Sequence, residues 1–199
     1  MARKYELKER ARRQARTRQC IAEAAVELHR TVGPARTTVK EVAKRAGVHR
    51  ATVYEHFPDE LALFRACSAH WDAIHPPPDI EAWARIADPA MRLRTALSEL
   101  YAYYDDSGEM LERVLADARS VPALASYLDE EWDPLLAWVV ETLAAGWEVR
   151  GAAARRLRAL LRAAVELQIW KALTGPGKLS SRTAARTMAT AVRCGVRGG

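Results

Sequence analysis

Apolar positions in this chain recur at helical spacing from end to end, and no stretch alternates in the manner of a strand. Ile21, Ala24, Ala25, Leu28 and Val32 make the buried stripe of a first helix that Gly33-Pro34 stops. Val39, Val42, Ala43 and Ala46 fall on one face of a short second helix. Val48, Val53 and Phe57 supply the core side of another, opened by His49 or Arg50. From Pro58, read as the first helical residue with Asp59 and Glu60 in its first turn, a longer helix carries Leu61, Phe64, Cys67, Trp71 and Ile74. Prolines 76–78 end it.

The remainder continues in the same style. A short helix over Ile80–Ala87 leads to Asp88-Pro89, an N-cap followed by a proline suited to a first turn. The next helix bears Leu93, Leu97, Leu100, Tyr101 and Tyr104, and Asp105-Asp106-Ser107-Gly108 is expected to break it before a short helix with Met110, Leu111, Val114 and Leu115. A long helix starting near Pro122 contains Leu128, Trp132, Leu135, Leu136, Val139 and Leu143. Pro134 should kink it, or restart it under an Asp133 cap. Two last helices, about Ala152–Leu173 and Ser181–Val196, flank Gly175-Pro176-Gly177-Lys178. In the first of them Arg155, Arg158, Arg162 and Glu166 make a wet stripe, with Leu157, Leu160, Leu161, Ala164 and Gln168 opposite. The last offers Ala184, Ala185, Met188, Ala191 and Val192, mostly small. The prediction is an all-α chain of about nine to ten helices, with residues 1–57 as one domain and residues 58–199 as another.

One stretch carries more information than its periodicity. Thr38 and Glu41 have capping-box spacing, and Gly47 ends that helix at a left-handed position. Two short helices about a glycine turn have helix-turn-helix geometry. Thr37-Thr38, Val42-Ala43, Ala46-Gly47-Val48, Ala51-Thr52-Val53-Tyr54 and His56-Phe57-Pro58 together resemble the DNA-binding signature of the tetracycline-repressor (TetR) family of transcriptional regulators. The match covers roughly Thr17 to Phe64. His49 stands where the family often has Ser, and Glu60 where it often has Lys.

The second helix of such a unit enters the major groove with its first residues at base edges. The candidates for DNA contact are Thr38, Val39, His49, Arg50, Ala51, Thr52, Tyr54, Glu55 and His56. Arg50 is suited to guanine, because a guanidinium bonds O6 and N7 together. The resemblance implies phosphate contacts from Thr38, Thr52, Tyr54 and His56. It further implies a homodimer through the last two helices and a small-molecule effector held among the C-terminal helices. Tyr101, Tyr104, Met110, Trp132 and Gln168 are the candidate effector pocket, Gln168 as an amide set in an apolar face. The expected function is a repressor released from a double-stranded DNA operator by that effector. An effector-independent, architectural DNA-binding dimer is the alternative.

Charge supports the placement. Residues 1–56 hold 14 Lys and Arg against 6 Asp and Glu, a balance of +8, whereas the full chain carries +6. The surplus therefore sits with the helix-turn-helix, as a phosphate-facing module requires. Arg3, Lys4, Lys8, Arg10, Arg12, Arg13, Arg16 and Arg18 form a basic, helix-compatible arm that either follows phosphates or is a solvated extension. Cys20, Cys67 and Cys194 are odd in number and far apart, which argues against disulfides or zinc and for a reducing cytoplasm. The Arg-rich start is not a secretory signal, and no apolar run spans a membrane. Hydrolase and zinc-protease motifs are missing, Asp105-Asp106 and Glu130-Glu131 diverge on their helices, and His70 and His75 are poorly spaced for a metal. The Gly175–Ser180 run follows a helix and lacks the first glycine of a phosphate loop. No enzyme and no cofactor are expected.

Overall fold

The computed structural model describes residues 2–197, and the side chains of residues 2–4 and 197, Arg3 and Lys4 of the basic arm included, lie outside that description. All regular structure among the described residues is helical. The elements are α1 (Ala2–Val32), α2 (Val39–Ala46), α3 (Arg50–His56), α4 (Glu60–Ile74), α5 (Ile80–Ala84), α6 (Pro89–Asp117), α7 (Pro122–Tyr127), α8 (Asp133–Ala144), α9 (Gly151–Ala164), α10 (Leu167–Thr174) and α11 (Ser181–Arg197). Among the described residues none of these helices is long and apolar enough to cross a membrane.

Two compact units emerge. The first joins the chain up to Pro76 with Glu112–Leu128, and the second joins Pro77–Leu111 with the chain from Asp129 onward. In the first, Ile21, Ala22, Ala25 and Val26 of α1, Val42 and Ala43 of α2, Val53 of α3, Phe57, and Phe64, Cys67 and Trp71 of α4 are buried. Val32 and Ile74, expected in those stripes, are exposed because each lies at a helix end. Leu63 is buried instead of Leu61. The helix also starts later than expected: Asp59 is the N-cap of α4, its carboxylate accepting from Ala62 N–H at 2.7 Å, so Pro58 precedes the helix. Asp117 accepts from Ala35 N–H at 2.9 Å, and Arg113 donates to Thr31 O at 3.1 Å, tying the end of α6 to the end of α1. A side chain at Gly33, where φ is +91°, would meet the Asp117 carboxylate at 2.6 Å. His29 packs on Phe64 with ring centroids 5.4 Å apart, and burial pulls its pKa down to about 4 against the opposite pull of Asp117.

Beyond Pro77 the chain departs from the sequence expectation in three places. First, α6 runs unbroken through Asp105–Gly108. Gly108 is there for space, since a methyl at that position would lie 2.9 Å from the Trp170 ring. Second, the Pro122 helix passes through a π-helical turn, Leu128–Trp132, and restarts at α8 with Trp132, not Asp133, at the N-cap position. Third, the helix expected over 152–173 is two helices, α9 and α10, interrupted at Val165–Glu166. Tyr101 Oη donates to Ala164 O at 2.9 Å and Tyr104 Oη to Val165 O at 2.6 Å, which satisfies carbonyls that the break releases.

Helix α11 packs on α9 and α10, and its Ala184, Ala185, Ala189, Val192 and Val196 are buried. A side chain at Gly195 would lie 2.7 Å from Leu160 Cδ1, so the helices approach closely. Ala191, expected on the buried stripe, is exposed, and Ala189 takes its place. Much of the small-residue content expected to admit a second copy is therefore used within one chain.

Candidate nucleic-acid interface

Local chemistry shapes the reading head. Thr38 Oγ1 accepts from Glu41 N–H at 3.2 Å while the Glu41 carboxylate takes Thr38 N–H at 3.0 Å and its hydroxyl at 2.7 Å. The Thr38 hydroxyl first, then its main-chain N–H, hold the Glu41 carboxyl below its ordinary value. This reciprocal cap starts α2. Gly47 ends it at φ 68° and ψ 31°, a left-handed conformation that costs glycine little and other residues more. Arg45 reaches Glu27 on α1 at 3.4 Å, an exposed pair.

His49 occupies the N-cap position of α3 with extended backbone and no side-chain cap. Val53 and Phe57 point into the core at 1% and 2% exposure. That orientation turns His49, Arg50, Ala51, Tyr54 and Glu55 to solvent, with Thr52 and His56 half-buried. Tyr54 is 48% exposed, so it is not a core aromatic. Thr38 is exposed and Val39 half-buried at the start of α2. The nine residues read as candidates therefore lie on α2, α3 and the residues that cap them, and none is buried.

Arg18 is the residue sequence reasoning misassigned. Grouped with the arm, it instead sits over the Phe57 ring, 4.2 Å from its centroid, and donates to His56 O. It thus closes the last turn of α3 and neutralises the carbonyl end of that helix. The only advance signal was its spacing of three residues before Ile21, at the edge of the apolar stripe. Gln14, Ala15, Arg18, Glu55 and His56 line an open groove of about 340 Å³ there.

The candidate effector residues belong to the second unit. Tyr101, Tyr104 and Met110 are buried and Trp132 is half-buried. Burial raises the pKa of Tyr101 to about 12. It pushes that of Tyr104 up further, and Glu166 and the neighbouring tyrosines add to the rise. Gln168 is exposed, which corrects its expected place in an apolar face: the interruption at Val165–Glu166 changes the phase of α10 and turns residue 168 outward. Among the described residues no group of His, Cys, Asp and Glu is placed to hold a metal ion.

Residues 21–67 match the family model of bacterial regulatory proteins of the tetR family. No curated protein sequence matches the chain. Among solved structures, NalD of Pseudomonas aeruginosa, the secondary repressor of the MexAB-OprM multidrug efflux pump, is similar at 23% identity and a TM-score of 0.62, over 93% of this chain and 99% of that one. A TetR-like transcriptional regulator from Rhodococcus sp. RHA1 aligns at 18% identity and 0.62, over 92% and 97%. A TetR transcription regulator from Haloarcula marismortui aligns at 15% and 0.55, over 92% and 97%. At these identities the likeness is one of fold.

Proposed function

From the premise that residues 21–67 are a DNA-binding domain of the bacterial tetR family, we propose that the chain is a dimeric transcriptional regulator, a repressor released from its operator by a small molecule. The observation that carries the DNA-binding half is the solvent-facing row His49, Arg50, Ala51, Tyr54 and Glu55 on a helix whose other side is locked into the core. Residues 1–57 read the operator and residues 58–199 form the body that pairs two heads and takes the effector. Pairing uses the outer faces of α9–α11, and the two heads address half-sites about one helical turn, 34–36 Å, apart or at a larger related spacing.

Arg50 reads guanine, and Thr38, Thr52, Tyr54 and His56 hold phosphates. Arg50→Ala should flatten the base preference at one position of each half-site by about 1–3 kcal/mol, while Tyr54→Phe weakens all sites alike. Binding selections from random duplexes with each variant check both. An unchanged Arg50→Ala motif removes the base-reading role.

The effector site is placed among Tyr101, Tyr104, Met110 and Trp132. Its support is Ser107, fully buried between Tyr104 and Met110 on α6, whose hydroxyl has no hydrogen-bond partner among the described residues. Buried hydroxyls are normally satisfied, and a ligand oxygen or nitrogen would do so. Release follows by linkage: an effector that favours wrongly spaced heads weakens DNA binding by the ratio of its affinities for the two conformations. Screening metabolites and drugs for loss of the selected complex tests this half. Tyr101 and Tyr104 have their hydroxyls committed to main-chain carbonyls, which favours the effector-independent dimer as the second reading.

A further inference from the structure

We infer that residues 5–16 of α1 are a second DNA contact, a cationic rod lying along the phosphates that flank the half-site; this rests on α3 being the reading helix. The core stripe of α1 begins at Ile21, yet the same helix extends to Ala2. Tyr5 and Leu7 are 68% and 61% exposed, so packing does not explain the extension. Its near end is fixed at the reading head, where Arg18 grips His56 O and Phe57. From Arg18 to Tyr5 the helix covers about 20 Å at 1.5 Å per residue, the length of roughly six base pairs.

Charge names the occupant. Residues 5–18 carry six Lys and Arg against Glu6 and Glu9. Lys8, Arg12 and Arg16 recur every fourth residue and so share one side of the helix, in steps of about 6 Å. Like charges at that spacing destabilise an isolated helix, and a linear polyanion removes the penalty. Arg12 also meets Glu9 at 2.9 Å, an exposed pair of small worth that a phosphate can replace. Away from the row lie Leu7, Ala11 and Gln14, too little apolar surface for a helix that beds into a bilayer. Phosphate contacts of this kind add affinity and orientation without reading sequence.

The test is the Lys8→Gln/Arg12→Gln/Arg16→Gln variant of the full chain, since Gln keeps helix propensity. Affinity for a selected operator is measured against salt, with flanks of ten base pairs and with flanks removed. The slope of log affinity on log salt should fall by about 2–3, because each phosphate contact contributes about 0.9. Base preference should stay, and trimming the flanks should weaken the parent protein but not the variant. Equal slopes for parent and variant, with sequence preference intact, overturn this inference alone. So does an unchanged DNA slope alongside lost binding to phosphatidylglycerol vesicles, which would make a membrane the partner. A parent protein that ignores duplex DNA at low salt removes the reading of α3 as well.

Discussion

Phe57→Ala should unfold the reading head under conditions where the parent protein is folded, and DNA binding should be lost with it. Phe57 is 2% exposed at the C-cap of α3 and is the platform for the Arg18 guanidinium. Truncating a buried phenylalanine costs about 3–5 kcal/mol, and here the change also removes a cation–π contact. Against a typical total of about 5–15 kcal/mol, such a loss populates the open form. Urea titration followed by circular dichroism should move to a lower midpoint with little change in slope. Phe57→Leu should recover most of the stability but not the Arg18 contact, so its binding loss should track that of Arg18→Gln. Parent-like stability in Phe57→Ala would mean that α3 is held from elsewhere.

The second large effect is expected in the other unit. Arg92 is 6% exposed, and its guanidinium donates to Ile86 O at 2.7 and 3.0 Å, to Thr142 O at 3.0 Å and to Ala145 O at 2.7 Å. Two of these carbonyls lie at the end of α8, where orphan acceptors need donors and the dipole favours a cation. Arg92→Met keeps much of the buried stem but deprives three carbonyls of charge-assisted bonds worth about 1.5–3 kcal/mol each, only part of which water restores. A loss of about 3–5 kcal/mol is expected, a fall in Tm of roughly 6–20 °C for a chain of this size. Arg92→Lys should rescue less than half, since an ammonium cannot present a planar fork. Melting curves of the three proteins decide it, and a Met variant within 1 °C of the parent would show those carbonyls to be satisfied without Arg92.

These two residues mark how far the chain could be read without coordinates. Phe57 and the elements before it were legible because their signals are local: a capping box at Thr38 and Glu41, a left-handed glycine at 47, and apolar spacing that leaves only one face for Arg50 and Tyr54. Arg92 was not. On the sequence it is one more cation beside a leucine stripe, and its acceptors come from residues 86, 142 and 145. Gly108 misled in the opposite sense. In a polar run it reads as a helix breaker, but its partner is the Trp170 ring, 62 residues away in the chain, and α6 continues. Likewise nothing local announces the interruption at Val165–Glu166, whose freed carbonyls are met by tyrosines from α6. Gln168 fell on the wrong face for that reason.

The most direct measurement is a selection of bound sequences from random duplex DNA by the purified full-length protein at low salt, repeated with Arg50→Ala. A regulator of the kind proposed enriches a two-part motif with half-sites at a fixed separation, and Arg50→Ala loses preference at one symmetric pair of positions. Absence of any enriched motif, or of binding to duplex DNA altogether, would contradict it.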